Sequence, residues 1–329
     1  MSKLVRKDDV LLLVEKVRAI GLRSLLGKVL GTDRTRVHNS WKHVDSERSN
    51  WWDLDAVTRR WNRLITGCAD VTYQQYVAKK YFSGKRNLWA ISIGCGTGRK
   101  EIDWMETKKF QSLIGFDVSV PRIKLAKEFA GKSKWKDRLR FEVGNVFDLK
   151  LDRASYDVVI FDNSLHHCSP LARVIDQVDD WLGKRGILIV NEYVGPSRFQ
   201  WTDDQVSVTD SLLHILPTEL KQRKDGSCKD RMLRPGTLAM RLNDPSEAAE
   251  SHLILSSLEQ RFEVLELKPY GGTILANLLK DIAQNFLNDD RETREWLQFL
   301  FDVEDRLMAL KKIRSDYVFG IFKSRFAGN

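Results

Sequence analysis

From residue 88 onward the chain repeats one alternation: a short apolar run of β type, then a stretch with helical spacing. The runs are LWAISI (88–93), SLIGFD (112–117), LRFEVG (139–144), YDVVIFD (156–162) and GILIVNEY (186–193). Helical spacing fills 99–108, 120–130 and 171–182. Strands separated by helices predict right-handed crossovers and a parallel sheet. The runs are apolar on both faces, so helices must cover both sides. After 193 the alternation pauses. Residues 195–260 read as mostly helical and polar, punctuated by Pro196, Pro217, Pro235 and Pro245. A strand follows at 262–268, then Gly271-Gly272, a stretch at 273–313 that reads as helical throughout, and a last strand at 317–323.

A chain of 329 residues can bury a full core, and 42% apolar with 30% charged residues excludes disorder and a polytopic membrane protein. The net charge of +9 is unevenly placed: residues 1–87 hold 18 basic and nine acidic residues, while 88–329 hold 36 of each. A uniformly basic nucleic-acid-binding protein would not show that pattern. The chain therefore divides into a basic helical extension and cap, 1–87, and a neutral α/β domain, 88–329, with helical insertions at 195–260 and 273–313. Within the extension, 8–30 reads as an amphipathic helix interrupted at Gly21, 31–50 as a polar linker and 51–82 as an aromatic-rich helical segment. The four cysteines, Cys68, Cys95, Cys168 and Cys228, form neither a metal-binding pair nor a disulfide framework, which fits a reducing compartment. Glu15, Lys16 and Arg18 cut the first apolar run too short for a secretion signal. No run reaches the roughly 18–20 apolar residues of a spanning helix. A cytoplasmic location is expected, with residues 1–30 available for the inner membrane face or a partner protein.

The first strand runs into Gly94-Cys95-Gly96-Thr97-Gly98 and then a helix. Glycines let the backbone turn sharply and approach a ligand, and the amides at a helix start favour an anionic group. A dinucleotide fingerprint needs a third Gly or Ala where this chain has Arg99, which argues against a nicotinamide enzyme. Asp117 ends the second strand 19 residues after Gly98, a spacing that suits an acid accepting two ribose hydroxyls. Its other reading is a helix N-cap, with Ser119 competing for that role. Asn145 and Val146 follow the third strand, an amide and an apolar group suited to an adenine edge and face. The fourth strand ends in Asp162, Asn163, Ser164, Leu165, His166 and His167, at the carboxyl edge where open α/β sheets bind ligands.

The succession ISIGCGTG, LIGFDVS, RFEVGNVFDL and YDVVIFDNSLHHCSP resembles the class I S-adenosylmethionine-dependent methyltransferases over about residues 88–193. The resemblance implies a Rossmann-like seven-stranded sheet with helices on both faces and the last strand antiparallel, and S-adenosyl-L-methionine as cofactor. It assigns Gly94, Cys95, Gly96, Thr97 and Gly98 to the methionine part, Asp117, Val118 and Arg122 to the ribose side, and Asn145 and Val146 to the adenine. Asp162, Asn163 and Ser164 complete the cofactor set, and Tyr73 and Tyr76 form a cap helix over it. Many members carry an acid where this chain has Ser92, so the methionine amine must find its acid elsewhere. The segments NWWDLDAVTRRWNRL (50–64), NEYVGPSRFQW (191–201), DPSEAAES (244–251) and YGGTILANLL (270–279) resemble a bacterial subgroup found with surface-polysaccharide glycosyltransferases.

A sulfonium methyl donor needs no acid for its leaving group, but a hydroxyl acceptor must lose a proton, and His suits that task at neutral pH. His167, His166 and Glu192 are the candidate bases. Adjacent histidines are expected to point apart, with His167 toward the substrate. Asp162 and Glu192 with a His could hold a divalent ion, but no tight ligand spacing supports one and no metal is expected. Trp51, Trp52 and Trp201 could stack on a sugar, and Arg198, Arg234 and His214 could meet its hydroxyls or an anion. The expected function is O-methylation of a small molecule or of a sugar hydroxyl in a glycan. Its alternatives are nucleic-acid methylation and a non-catalytic cofactor-binding module. After the fourth strand the chain reads Asp162-Asn163-Ser164-Leu165 and lacks the Asn/Asp-Pro-Pro-aromatic motif of base-amine enzymes, which argues against amine chemistry on a base. Residues 273–313 could form an oligomer surface.

Overall fold

The computed structural model describes residues 3–20 and 50–325, with side chains described outside 15–20. Its elements run α1 (Asp8–Ile20), α2 (Asp55–Thr66), α3 (Tyr73–Lys80), β1 (Leu88–Ile93), α4 (Arg99–Glu106), β2 (Phe110–Asp117), α5 (Val120–Lys132), β3 (Leu139–Val143) and β4 (Tyr156–Asp162). There follow α6 (Leu171–Trp181), β5 (Leu182–Tyr193), α7 (Asp203–Ile215), α8 (Thr237–Asn243), α9 (Ile254–Arg261), β6 (Phe262–Gly271), α10 (Leu275–Leu279), α11 (Arg291–Ala309) and β7 (Tyr317–Ser324). The linker expected at 31–50 and the second half of the helix expected at 8–30 lie outside the described residues, apart from Asn50.

The seven strands form one sheet in the order β3-β2-β1-β4-β5-β7-β6. The β1 to β5 pairings are parallel, whereas β7 runs antiparallel to both β5 and β6. Side chains alternate between the faces, as the strand period of two requires. Ala90, Val158, Ile160, Ile187 and Ile189 join Trp104, Met105, Ile123 and Val77 in one core. Ile91, Ile93, Val159, Phe161, Leu188 and Val190 join Leu171, Val174, Val178, Ile254 and Leu258 in the other. The first core is thus roofed by α3, α4 and α5, the second by α6 and α9.

A third core lies beyond the sheet, where Trp51, Leu54 and Val57 meet Leu212, Leu213, Ile274, Leu278 and Leu300. Its elements differ from the expected continuous helices. In 195–260 only 203–215, 237–243 and 254–261 are α-helical. Thr202 caps α7, and Pro217, Pro235 and Pro245 lie in the connections, where a ring without an N–H cannot extend a helix. The 273–313 stretch breaks at Asp281, which is left-handed (φ 65°), and restarts at Asp290, whose side chain accepts the Thr293 amide as an N-cap. No described helix is long and apolar enough to cross a membrane.

Candidate active site

The strand order reverses between β1 and β4, which pair side by side and parallel, so their carboxyl ends flank a crevice where such sheets hold ligands. At the end of β1, Gly94 has φ 71°, and a Cβ there would lie 2.4 Å from the Ser164 Cβ. Gly98 has φ 75°, and a Cβ there would meet the Phe141 ring at 2.4 Å. Both glycines are therefore demanded by close packing as well as by backbone angle. Asp117 ties this turn to the next helix: its Oδ2 accepts the Gly96 amide at 2.9 Å and its Oδ1 the Ser119 amide at 2.7 Å. Ser119 holds the N-cap position of α5 without a side-chain capping bond.

A cavity of about 1200 Å³ opens above the crevice. Of the residues assigned to a cofactor, Gly94, Asp117, Val118, Arg122, Asn145, Val146, Asn163 and Ser164 line it. Asn145 Oδ1 accepts the Phe147 amide at 3.0 Å and so fixes the turn that carries Val146. Cys95, Gly96, Thr97 and Gly98 form the turn beneath without lining the cavity. Asp162 also lies off the lining, engaged by the Tyr73 hydroxyl, the Lys100 ammonium and the Asn191 amide. Tyr76 is not part of a cover, since its hydroxyl donates to Glu266 at 2.6 Å. An acid of α4 lies beside Ser92. Ser92 Oγ donates to Glu101 Oε1 at 2.6 Å, while Glu101 Oε2 is buried without a hydrogen-bond partner. Burial pushes the Glu101 carboxyl up to about 7.

A charged cluster also borders the cavity. Leu165–His167 forms a 3-10 turn, in which successive residues differ by about 120° rather than 180°. The two imidazoles accordingly lie side by side, centroids 4.1 Å apart, instead of pointing apart. His166 is buried, its Nδ1 bonded to Glu192 and its Nε2 3.5 Å from Glu247 Oε1. Glu192 is fully buried and accepts the amides of Ser164, Leu165 and Tyr193 at 2.6–2.8 Å, which commits both oxygens. Burial opposes charge on His166, but Glu192 and Glu247 outweigh it and hold the imidazole up at about 10. Burial and the neighbouring positive His166 push His167 the opposite way, below its ordinary value. His167 alone of the pair lines the cavity, with Nδ1 3.4 Å from Ser246 Oγ. Ser246 is held in turn by Asp244, 2.6 Å away. Ligand-capable atoms of His166, His167 and Glu247 come within 4.8 Å of one another. The protonated His166 turns one ring N–H toward each of the two carboxylates, which leaves this trio with one net negative charge. Burial pushes the Cys168 thiol up, leaving it a packed apolar group.

Of the residues expected to meet the acceptor, Arg198 lines the cavity. Trp51 is in the third core, edge-on to Trp61, and Trp52 is half-exposed outside the cavity. Trp201 is buried and stacks on Phe199 with centroids 5.1 Å apart. Arg234 is bound to Asp203 at 2.6 Å, and His214 lies in a shallow groove along α7. Arg241 and Ser246 also line the cavity, with Asp244 behind Ser246 and Glu247 behind His166. Their signal was present in the DPSEAAES run, which carries Asp244, Ser246 and Glu247, but nothing local ties that run to the strand ends. Arg198 and Phe199 are both left-handed (φ 56° and 53°), a backbone state costing about 1–3 kcal/mol per residue. The Arg198 amide bonded to Ala248 O at 2.7 Å and the Phe199–Trp201 stack hold it in place.

A family model described as a methyltransferase domain matches residues 85–252. Among curated proteins, the chain is 26% identical over 104 residues to erythromycin 3''-O-methyltransferase of Saccharopolyspora erythraea, covering 32% of this chain and 34% of that one. It is 32% identical over 104 residues to 27-O-demethylrifamycin SV methyltransferase of Amycolatopsis mediterranei, covering 32% and 38%. The chain thus spans little more than a third of the length of these relatives. Among solved structures, the geranyl diphosphate C-methyltransferase of Streptomyces coelicolor A3(2) superposes with a TM-score of 0.47 at 11% identity, over 90% of this chain and 99% of that one.

Proposed function

This chain belongs to the methyltransferase-domain family, and from that premise we propose that it moves a methyl group from S-adenosylmethionine to a hydroxyl of a small molecule. The observation that carries the reading is a single cavity lined both by Gly94, Asp117 and Asn145 and by His167. The Gly94 turn lines the cavity, and Asp117 and Asn145 add an acid and an amide to the same lining. These residues fit an adenosyl group: Asp117 for the ribose, Asn145 and Val146 for the adenine. When bound, the cofactor supplies an electrophilic methyl on a sulfonium. The chain's own contribution is to hold the hydroxyl in line and to take its proton.

We assign the proton to His167. Burial and the positive His166 keep it neutral at pH 7, which leaves a ring nitrogen able to accept. His166 is the positioning partner: protonated, clamped between Glu192 and Glu247, it has no free lone pair. The two O-methyltransferase relatives support oxygen as the acceptor atom, and we infer a sugar hydroxyl from the resemblance to the subgroup found with surface-polysaccharide glycosyltransferases. Calorimetry of the full chain with S-adenosylhomocysteine tests the foundation. Binding is expected, and Asp117→Ala should weaken it at least about tenfold, since it removes a charged hydrogen-bonding partner. A folded protein that ignores the ligand would refute the reading. Labelled methyl transfer to hydroxylated acceptors, with the methylated atom determined, tests the rest.

A further inference from the structure

We propose that Ser246, held by Asp244, fixes the tautomer of His167, with the ring proton on Nδ1 and the lone pair that takes the acceptor's proton on Nε2. Ser246 and Asp244 are then positioning residues that act through His167. The inference rests on the methyltransferase reading, which makes His167 the base.

A neutral imidazole carries one ring proton, and the hydrogen bond at one nitrogen decides which nitrogen keeps the lone pair. At Nδ1 of His167 the neighbour is the Ser246 hydroxyl, 3.4 Å away. A hydroxyl can donate or accept, so by itself it selects neither tautomer. Asp244 removes the choice. Its Oδ1 lies 2.6 Å from Ser246 Oγ and also accepts the Ser246 amide at 2.9 Å. A carboxylate only accepts, and a bond to an ionised acceptor is shorter and stronger than one to a neutral group. The single hydroxyl proton therefore goes to Asp244, and Oγ turns lone pairs toward His167. Facing lone pairs repel, so Nδ1 must carry the ring proton.

The surroundings make this bond costly to give up. Asp244 is 2% exposed, and its Oδ2 is buried without a hydrogen-bond partner. Compensation for the buried carboxylate thus concentrates on Oδ1, and losing a bond there strands a desolvated acceptor. The turn is clamped on both sides of Ser246. The Asp244 amide donates to Met240 O at 2.9 Å, and Arg198 Nη1 donates to the carbonyl oxygens of Asp244 and Glu247 at 3.3 and 3.2 Å. His167 is fixed by its own amide, which donates to Ser164 O at 3.1 Å. Hydrogen bonds to catalytic groups are often this long before ligands bind and tighten afterwards.

Nitrogen-15 NMR of the full chain, labelled at histidine and saturated with S-adenosylhomocysteine, reads the tautomer at pH 8, because a bare ring nitrogen resonates far from a protonated one. His167→Gln identifies the His167 signals. Wild type should show its lone pair on Nε2. Ser246→Ala removes the acceptor for the Nδ1 proton, so in most molecules the lone pair should move to Nδ1, the ordinary preference of an unconstrained histidine. Ser246→Thr keeps the hydroxyl and should restore the wild-type pattern. A merely structural Ser246 would leave the tautomer unmoved. A wild-type lone pair on Nδ1, or an Nε2 lone pair that survives Ser246→Ala, would overturn the inference while cofactor binding stands. If S-adenosylhomocysteine itself does not bind, the methyltransferase reading fails and this inference falls with it.

Discussion

At His166 and His167 two adjacent imidazoles, identical in chemistry, are driven to opposite charge states by what surrounds them. Two carboxylates hold the proton on His166, and that proton in turn disfavours one on His167. Pairs of titratable groups pushed apart in this way mark acid and base assignments. The sign for stability follows. His166 rises from an ordinary 6.5 to about 10 on folding, so its stabilisation is complete below pH 6.5 and is lost as pH climbs toward 10. His166→Asn should cost roughly 3 kcal/mol at pH 6 by leaving Glu192 without its charge partner, and should flatten stability between pH 6.5 and 10. Activity should respond oppositely to the two sites. In wild type, methyl transfer should rise with pH through a point below 6.5 and then level off, as His167 loses its proton. His167→Ala should remove that limb with most of the turnover, and His166→Asn should shift it to higher pH. An unchanged pH profile in His166→Asn would disprove the coupling.

Among the elements, α8 carries Arg241 and leads into Pro245 and Ser246, yet it is only 237–243 long and docks few buried side chains of its own. The N-terminal strap holds it. The carbonyls of Lys3 and Leu4 accept the amides of Thr237 and Leu238 at 3.1 and 3.0 Å. Asp9 accepts the Gly236 amide at 2.6 Å, and Asp8 the Arg234 amide at 3.0 Å. A helix pinned by a few terminal bonds opens locally when they are cut. The double variant Asp8→Ala/Asp9→Ala should speed hydrogen exchange across 236–243 by about tenfold or more, given the worth of bonds to charged acceptors. Exchange at Gly96 and Ser119, beside the cofactor end, should not change; equal acceleration at both ends would contradict a local strap. The same contrast explains what was legible in advance. The strands announced themselves because burial on both faces makes each a continuous apolar run, and the first-named residues of the cofactor end follow those runs directly. The proposed acceptor end is assembled from 198 and 241–247, far from the strand tips in sequence, and its helices are too short to carry a clear period. Trp51 and Trp201 misled because a buried aromatic and a stacking aromatic look alike in a sequence.

On the scale of the whole molecule, the change in charge at residue 88 does not coincide with a change of core. Ile65, Val77 and Phe82 pack with the sheet, and Trp51, Leu54 and Val57 pack with 212–220 and 274–301. Residues 51–82 of the basic first quarter therefore belong to the same packed body as the neutral remainder. One buried pair concentrates that union. Arg60 of α2 reaches Glu304 of α11 at 2.9 Å, with side chains 5% and 0% exposed, and Glu304 also accepts the amides of Gly272, Ile274 and Leu275. Arg60 binds Asp305 as well and lies 5.2 Å from the Phe301 ring. Breaking such a pair from one side strands a buried charge, which typically costs about 3–5 kcal/mol, whereas removing both charges together costs much less. Arg60→Ala should therefore lower the free energy of unfolding by roughly 3 kcal/mol, and Arg60→Met/Glu304→Gln by clearly less. Denaturant unfolding should remain one transition, seen alike by tryptophan fluorescence and circular dichroism, because Trp61 packs against both the sheet's first core and the third core that holds Trp51. Two separated transitions, or an Arg60→Ala effect within about 0.5 kcal/mol of zero, as expected of an ordinary surface change, would show instead that the first quarter is an appended layer.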